Sequence, residues 1–183
     1  PRSLTFLEMD GIRQASPITC RPEEVRFAKG HAVLRGAKGE TIVDGKVVAG
    51  GQTDLRAMRW SSDGKRRLDL VRKPGKPGVE VWLDDRVLAF HENAELVFPD
   101  SVVFSPNQSR VAYVLGSESQ MAVMLDGQLF ASYPPKATVK GLCFCPDNVG
   151  LAYSVQTGGH PRRIVAVVNG HEGPMEEDAR DLR

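Results

Sequence analysis

Two landmarks that recur at a shared period, an excess of turn-forming residues, and short β-branched or aromatic runs predict an all-β chain of four-stranded repeats. The first landmark is an apolar run closed by an acidic or amide residue, usually followed by Gly. It occurs as Thr41-Ile42-Val43-Asp44-Gly45, Val81-Trp82-Leu83-Asp84-Asp85, Val123-Met124-Leu125-Asp126-Gly127 and Ala166-Val167-Val168-Asn169-Gly170. Its closing residues lie 40, 42 and 43 positions apart. The second landmark is an aromatic residue followed by a polar turn: Trp60-Ser61-Ser62-Asp63-Gly64, Phe104-Ser105-Pro106-Asn107 and Phe144-Cys145-Pro146-Asp147, spaced by 44 and 40. A matching run follows each turn: Arg67-Leu68-Asp69-Leu70-Val71, Arg110-Val111-Ala112-Tyr113-Val114 and Gly150-Leu151-Ala152-Tyr153-Ser154. The 18 Gly and 12 Pro among 183 residues punctuate these runs, and such punctuation of short runs favours strands over helices.

The elements follow in order. Leu4 to Gly11 reads as the tail of a preceding unit, so the chain opens mid-repeat. The first unit is degenerate, because Cys20-Arg21-Pro22-Glu23 and Phe27-Ala28-Lys29-Gly30 compete for the aromatic-turn position before Asp44. In the third unit the expected strands are Val102 to Phe104, Arg110 to Leu115, Met121 to Leu125 and Gln128 to Tyr133. The fourth unit gives Gly141 to Phe144, Leu151 to Val155, Ile164 to Val168 and a polar last segment. Asp-Gly or Asn-Gly between apolar runs predicts type I′ hairpin turns, which need positive φ at both central residues. A helix fits only Pro174 to Leu182, with Pro174 at its first position and Glu176 and Glu177 in its first turn.

Four-stranded units of about 40 to 45 residues suit a β-propeller. One such sheet cannot cover both its faces, so neighbours must stack face to face, which explains third strands as apolar as Ile164-Val165-Ala166-Val167-Val168. A β-sandwich is the competing architecture. The expected organisation is a single domain, 1–183, with approximate units 12–50, 51–92, 93–133 and 134–176 after the 1–11 tail. Four units and a tail are compatible with a fragment of a larger propeller.

The chain resembles the TolB-like propeller repeat of bacterial proteins. Phe104-Ser105-Pro106-Asn107 through Val114, and Phe144-Cys145-Pro146-Asp147 through Tyr153, carry the resemblance, and it covers most of residues 40 to 173. That repeat reads Phe-Ser-Pro-Asp-Gly, a short basic stretch, then an apolar-Ala-Tyr strand. Asn107 and Gln108 replace its Asp-Gly pair, Asn148 replaces its Gly, and Asp69 takes its Tyr position. The resemblance implies a blade found in periplasmic protein-binding modules and in the gating domains of prolyl oligopeptidase-like hydrolases.

Composition narrows the function. A net charge of +1 removes global electrostatics as a drive towards nucleic acid or an anionic membrane, and no apolar run approaches the length of a membrane helix. Three cysteines, Cys20, Cys143 and Cys145, do not make a disulfide framework. Cys143 and Cys145 read as small packing residues. No signal peptide is present in the chain, which leaves periplasm and cytoplasm equally open. The sequence contains no Gly-x-Ser-x-Gly elbow, His-Glu-x-x-His or Cys-x-x-Cys, and no cofactor is expected. The Asp-Gly pairs at Asp10, Asp44, Asp63 and Asp126 read as turn chemistry and not as calcium loops. His31, His91, His160 and His171 show no ligand spacing and read as surface or loop residues.

Charge is nevertheless uneven. Arg56, Arg59, Lys65, Arg66, Arg67, Arg72, Lys73 and Lys76 cluster around two acids, Asp63 and Asp69, whereas the C-terminal end is acidic. In an antiparallel blade the second-to-third loops share one rim, and here these are the longer ones: Lys73 to Gly78, Gly116 to Gln120 and Gln156 to Arg163. Longer loops on a rigid scaffold are where binding resides. The expected site is that rim, with Arg72, Lys73, Lys76, His160, Arg162 and Arg163 as its cationic members and a protein as partner. Three readings compete: a non-catalytic interaction module, the propeller part of a hydrolase whose catalytic domain lies outside this chain, and a structural repeat with no ligand.

Overall fold

The computed structural model describes residues 8–9, 12–13, 26–35, 41–49, 52–53, 58–72, 77–92, 94, 96–157, 163–173 and 176–177. They form a short hairpin, β1 (Glu8–Met9) with β2 (Ile12–Arg13), and four antiparallel sheets. The first sheet runs β3 (Arg26–Ala28), β4 (His31–Arg35), β5 (Thr41–Val43) and β6 (Lys46–Ala49) in sequence order. In the second, β9 (Arg67–Arg72), β10 (Val79–Leu83) and β11 (Arg86–His91) follow a first strand in two pieces, β7 (Gln52–Thr53) and β8 (Arg59–Trp60). The third repeats this with β12 (Leu96–Val97) and β13 (Val103–Phe104) before β14 (Val111–Gly116), β15 (Met121–Leu125) and β16 (Gln128–Tyr133). The fourth has an unbroken first strand, β17 (Thr138–Phe144), then β18 (Leu151–Thr157), β19 (Arg163–Val168), and an outer strand in two pieces, β20 (His171–Glu172) and β21 (Glu176–Glu177). No α-helix occurs among these residues.

The chain is therefore all-β, with propeller-type four-stranded blades stacked face to face. Period-two burial decides which neighbour each side chain meets. In β14, Val111, Tyr113 and Leu115 pack back against Leu68, Leu70, Val79 and Val81 of the second blade. Ala112 and Val114 of the same strand point forward onto Leu151, Tyr153 and Val155 of the fourth. All six residues of β14 are buried, because both faces of this sheet are covered. A smaller cluster of Val33, Val43 and Met58, with Val48 and Trp60, joins the first blade to the second.

The hairpin turns take the predicted form. Asp44-Gly45, Asp126-Gly127 and Asn169-Gly170 all have positive φ at both residues, as does Lys29-Gly30 between β3 and β4. The expected C-terminal helix is corrected in part: Glu176 and Glu177 pair with Ile164 and Arg163 as a strand, while 174–175 and 178–182 lie outside the described residues. A short isolated helix is marginal, and the unpaired edge of β19 offers the backbone ready partners. Cys143 is also corrected, since it is exposed and Cys145 half-buried; a register shift between Lys140 and Cys143 re-aims this end of β17. Cys20 lies outside the described residues.

Candidate functional site

The rim that carries the aromatic turns is built by one repeated polar device. Each third strand ends in Asp or Asn, whose side chain reaches back to the start of the second strand. The Ala32 amide donates to Asp44 Oδ1 (2.9 Å), Arg67 to Asp84 (2.9 Å), Val111 to Asp126 (2.9 Å) and Leu151 to Asn169 (3.1 Å). The other carboxylate oxygen holds the preceding side chain: His31 Nδ1 at 2.6 Å, Arg66 Nε at 2.8 Å and Arg110 Nε at 2.7 Å. That residue then crosses to the next blade. His31 Nε2 meets the Gly64 carbonyl at 3.1 Å, Arg66 Nη1 the Gln108 carbonyl at 2.8 Å and Arg110 Nη1 the Val149 carbonyl at 3.3 Å. In the fourth blade Gly150 occupies this position and Asn169 replaces Asp.

The aromatic turns close on themselves. Ser61 Oγ donates to Asp63 Oδ1 (2.6 Å) and accepts from the Arg66 amide (2.9 Å). Ser105 repeats this with Asn107 (2.8 Å) and Arg110 (3.0 Å). Where Cys145 replaces that serine, the Gly150 amide donates straight to Asp147 Oδ1 at 3.0 Å. These bonds hold the Asp63 and Asp147 carboxyls below the usual carboxylate range, chiefly through Ser61 and the Gly150 amide respectively. The carboxylates are thus occupied by turn and strand amides, and no group of three metal-ligating side chains forms among the described residues.

A second recurring contact lies inside each joint. Tyr113 and Tyr153 face the preceding blade, where the Tyr113 hydroxyl lies 3.0 Å from His91 Nε2 and Tyr153 shares a 2.9 Å bond with Tyr133. Burial pushes the His91 pKa down and that of Tyr113 up, so a neutral His–Tyr pair suits the site. At the same position in the second blade stands Asp69, fully buried and 2.7 Å from Arg67 Nε. Burial, opposed by Arg67, pushes its carboxyl up to about 6. Its Oδ1 and the neighbouring Trp60 Nε1 are buried without a partner. Arg67 also lies over the Trp60 ring, 5.5 Å from its centroid.

The opposite rim carries a cleft of about 340 Å³ between the second and third blades. Leu115, Ala122 and Met124 form its apolar floor, the exposed Phe90 and Leu129 flank it, and His91, Glu92, Ser117 and Gln120 border its mouth. The Gly116–Gln120 loop is braced by Ser117, whose amide donates to the Gln120 carbonyl (2.9 Å) and whose hydroxyl accepts from the Gln120 amide (3.2 Å). Register brings two strand ends to the His91 side of this cleft: β9 ends at Arg72, and Val79 at the start of β10 pairs with His91.

Of the sequence-predicted cationic residues, Lys73, Lys76, His160 and Arg162 lie outside the described residues. Arg72 and Arg163 are placed by backbone alone, at the end of β9 and the start of β19. The cleft itself was missed, because its lining comes from two separate stretches, 90–94 and 115–129, that only blade stacking brings together. His31 and His91, expected as ordinary loop or surface residues, instead sit in joints between blades. Their offsets from Asp44 and Tyr113 are the only signal, and it is visible only once the repeat is aligned.

No known family profile and no curated protein matches this chain. Among solved structures it is similar to a crystal structure of a eukaryotic initiation factor, with a TM-score of 0.53 at 13% identity, over 89% of this chain and 46% of that one. It is also similar to a prolyl endopeptidase (TM-score 0.48, 16% identity, 87% of this chain and 28% of that one). A third structure, the dihydro-heme d1 dehydrogenase NirN, gives a TM-score of 0.40 at 13% identity, over 93% and 49%. The chain spans less than half the length of each. The first likeness is one of fold alone, and the other two carry no argument. Fold and repeat together define a β-propeller-type repeat protein.

Proposed function

We propose that this chain is a non-catalytic interaction module, built from TolB-like repeats, that recognises a protein partner through the rim of second-to-third loops. In this reading 12–50, 51–92, 93–133 and 134–176 are four blades of one domain. The observation that supports it is the cleft on that rim, whose apolar floor and polar mouth suit a side chain of a partner anchored between blades. In this reading the cationic members of the recognition surface are Arg72, Lys73 and Lys76 of the second unit and His160, Arg162 and Arg163 of the fourth.

The test is capture of a partner by the purified chain, compared across three variants. Lys73→Glu with Lys76→Glu, and separately Leu129→Asp, should abolish capture. Lys46→Glu, in the first blade at the start of β6 on the opposite rim, should retain it. A partner held equally by all of them would place recognition elsewhere.

A further inference from the structure

Three joints on the turn rim are made by equivalent residues of different chemistry. Arg66 and Arg110 each hold the closing Asp of their own blade and pass a second donor to a carbonyl of the next. In the first blade an imidazole does both tasks, with Nδ1 2.6 Å from Asp44 Oδ2 and Nε2 3.1 Å from the Gly64 carbonyl. Carboxylate and carbonyl oxygens are both acceptors, so both bonds form together only when each ring nitrogen carries a proton. A guanidinium keeps its donors at every physiological pH, whereas an imidazole does not. We propose that His31 makes the joint between the first and second blades a proton-dependent clasp, closed by the imidazolium and one bond short when the ring is neutral. The two arginine joints stay closed throughout.

The surroundings set the sign. Asp44 is the nearest charge, on the clasp's own blade, and pairs with the protonated ring. Lys46 from that blade, and Asp63, Lys65, Arg67, Asp84 and Asp85 from the second, line the crevice around it. A neutral ring that keeps its Nδ1 proton on Asp44 turns an Nε2 lone pair towards the Gly64 carbonyl, so the crossing contact changes from attractive to repulsive. Trp60 lies flat against the imidazole, with centroids 4.3 Å apart and planes 4° apart, and reports the change directly.

The experiment uses Trp82→Phe as background, leaving Trp60 as the one indole of a chain with two Trp. Emission and thermal unfolding are followed from roughly pH 5 to roughly pH 8.5, the span over which imidazoles exchange their proton. With His31 present, Trp60 emission should brighten as the stacked imidazolium, a quencher, is lost. The unfolding midpoint should fall relative to a His31→Arg variant by about 2–6 °C across the span. Asp69 and His91 also titrate, but both chains contain them, so they cancel in the difference. Should His31→Arg not fold, His31→Gln serves, since its difference from the parent must be large in acid and small in alkali. Parallel profiles for the parent and both variants would overturn the clasp.

Discussion

Replacing Asp126 measures what the closing carboxylate contributes to a blade. Its Oδ1 accepts the Val111 amide at 2.9 Å and its Oδ2 accepts Arg110 Nε at 2.7 Å. Val111 is fully buried, so Asp126→Ala strands a backbone donor, which costs about 1–3 kcal/mol. The ion pair is worth less, because the side chains are 38% and 30% exposed, and such pairs contribute about 0.2–1 kcal/mol. Alanine is also disfavoured at φ +51, adding about 1 kcal/mol. The sum is about 2–5 kcal/mol, or a fall in unfolding midpoint of about 5–20 °C for a chain of this size. An asparagine at this position keeps the amide contact, as Asn169 does with Leu151 at 3.1 Å, and tolerates the backbone, so Asp126→Asn should cost about 1 kcal/mol or less. Thermal unfolding followed by circular dichroism separates the two. Equal losses would show that charge, and not the amide bond, closes the blade; a neutral Asp126→Ala would remove the carboxylate from the account altogether.

Three further changes test other parts of the repeat. A Cβ at position 150 would lie 2.4 Å from Asn169 Oδ1, so Gly150→Ala should destabilise by about 1–3 kcal/mol, and a double-mutant cycle with Asn169→Gly should show coupling. Gly78 has φ +97, and a Cβ there would meet the His91 and Glu92 carbonyls at 2.4 and 2.7 Å; Gly78→Ala should cost more than about 2 kcal/mol and distort the cleft mouth, visible as altered exchange at His91 and Glu92. Asp69 titrates near 6 when folded against 3.8 as the reference value. The folded state therefore takes up a proton in that window, and stability falls by on the order of 2–3 kcal/mol as pH rises through it. In Asp69→Asn that fall should vanish from denaturant titrations between roughly pH 4 and pH 6.

Much of the architecture is written in local chemistry. Asp-Gly and Asn-Gly pairs demand positive φ at both turn residues, so hairpins are readable from a dipeptide, and the strands of the third unit follow within a residue of their predicted ends. Less local features are not readable. The same Asp that makes the turn also ties the amide of a residue 12 to 18 positions upstream, and turn propensity alone explains its presence without revealing that second duty. Arg67 looked like one cation in a solvated run, yet the fold buries it against Asp69 and Trp60 because residue 69 stands where the third and fourth blades place Tyr. The divided first strands, with a 3-10 turn at Pro99–Ser101 between the pieces in the third blade, depend on pairing to β9 and β14 and leave no periodicity to detect.

Departures from the repeat are not spread evenly. Between the second and third blades a Tyr meets a His, and between the third and fourth a Tyr meets a Tyr. Between the first and second, Asp69 and Arg67 replace Tyr and an aliphatic residue, and His31 replaces Arg. Of the three buried side-chain atoms without a partner among the described residues, Trp60 Nε1 and Asp69 Oδ1 both belong to this joint. Stability in a repeat protein is close to a sum of interface contributions, so opening should begin where one interface combines a buried unpaired carboxylate oxygen with a titratable clasp. Native-state hydrogen exchange should therefore find lower opening free energies in β4 and β5 than in β14 and β15, and the gap should narrow in Asp69→Asn. Exchange that is uniform across the four blades, or fastest in the third, would mean that the substituted residues repack as well as the tyrosines they replace and that the first joint is no weaker than the rest.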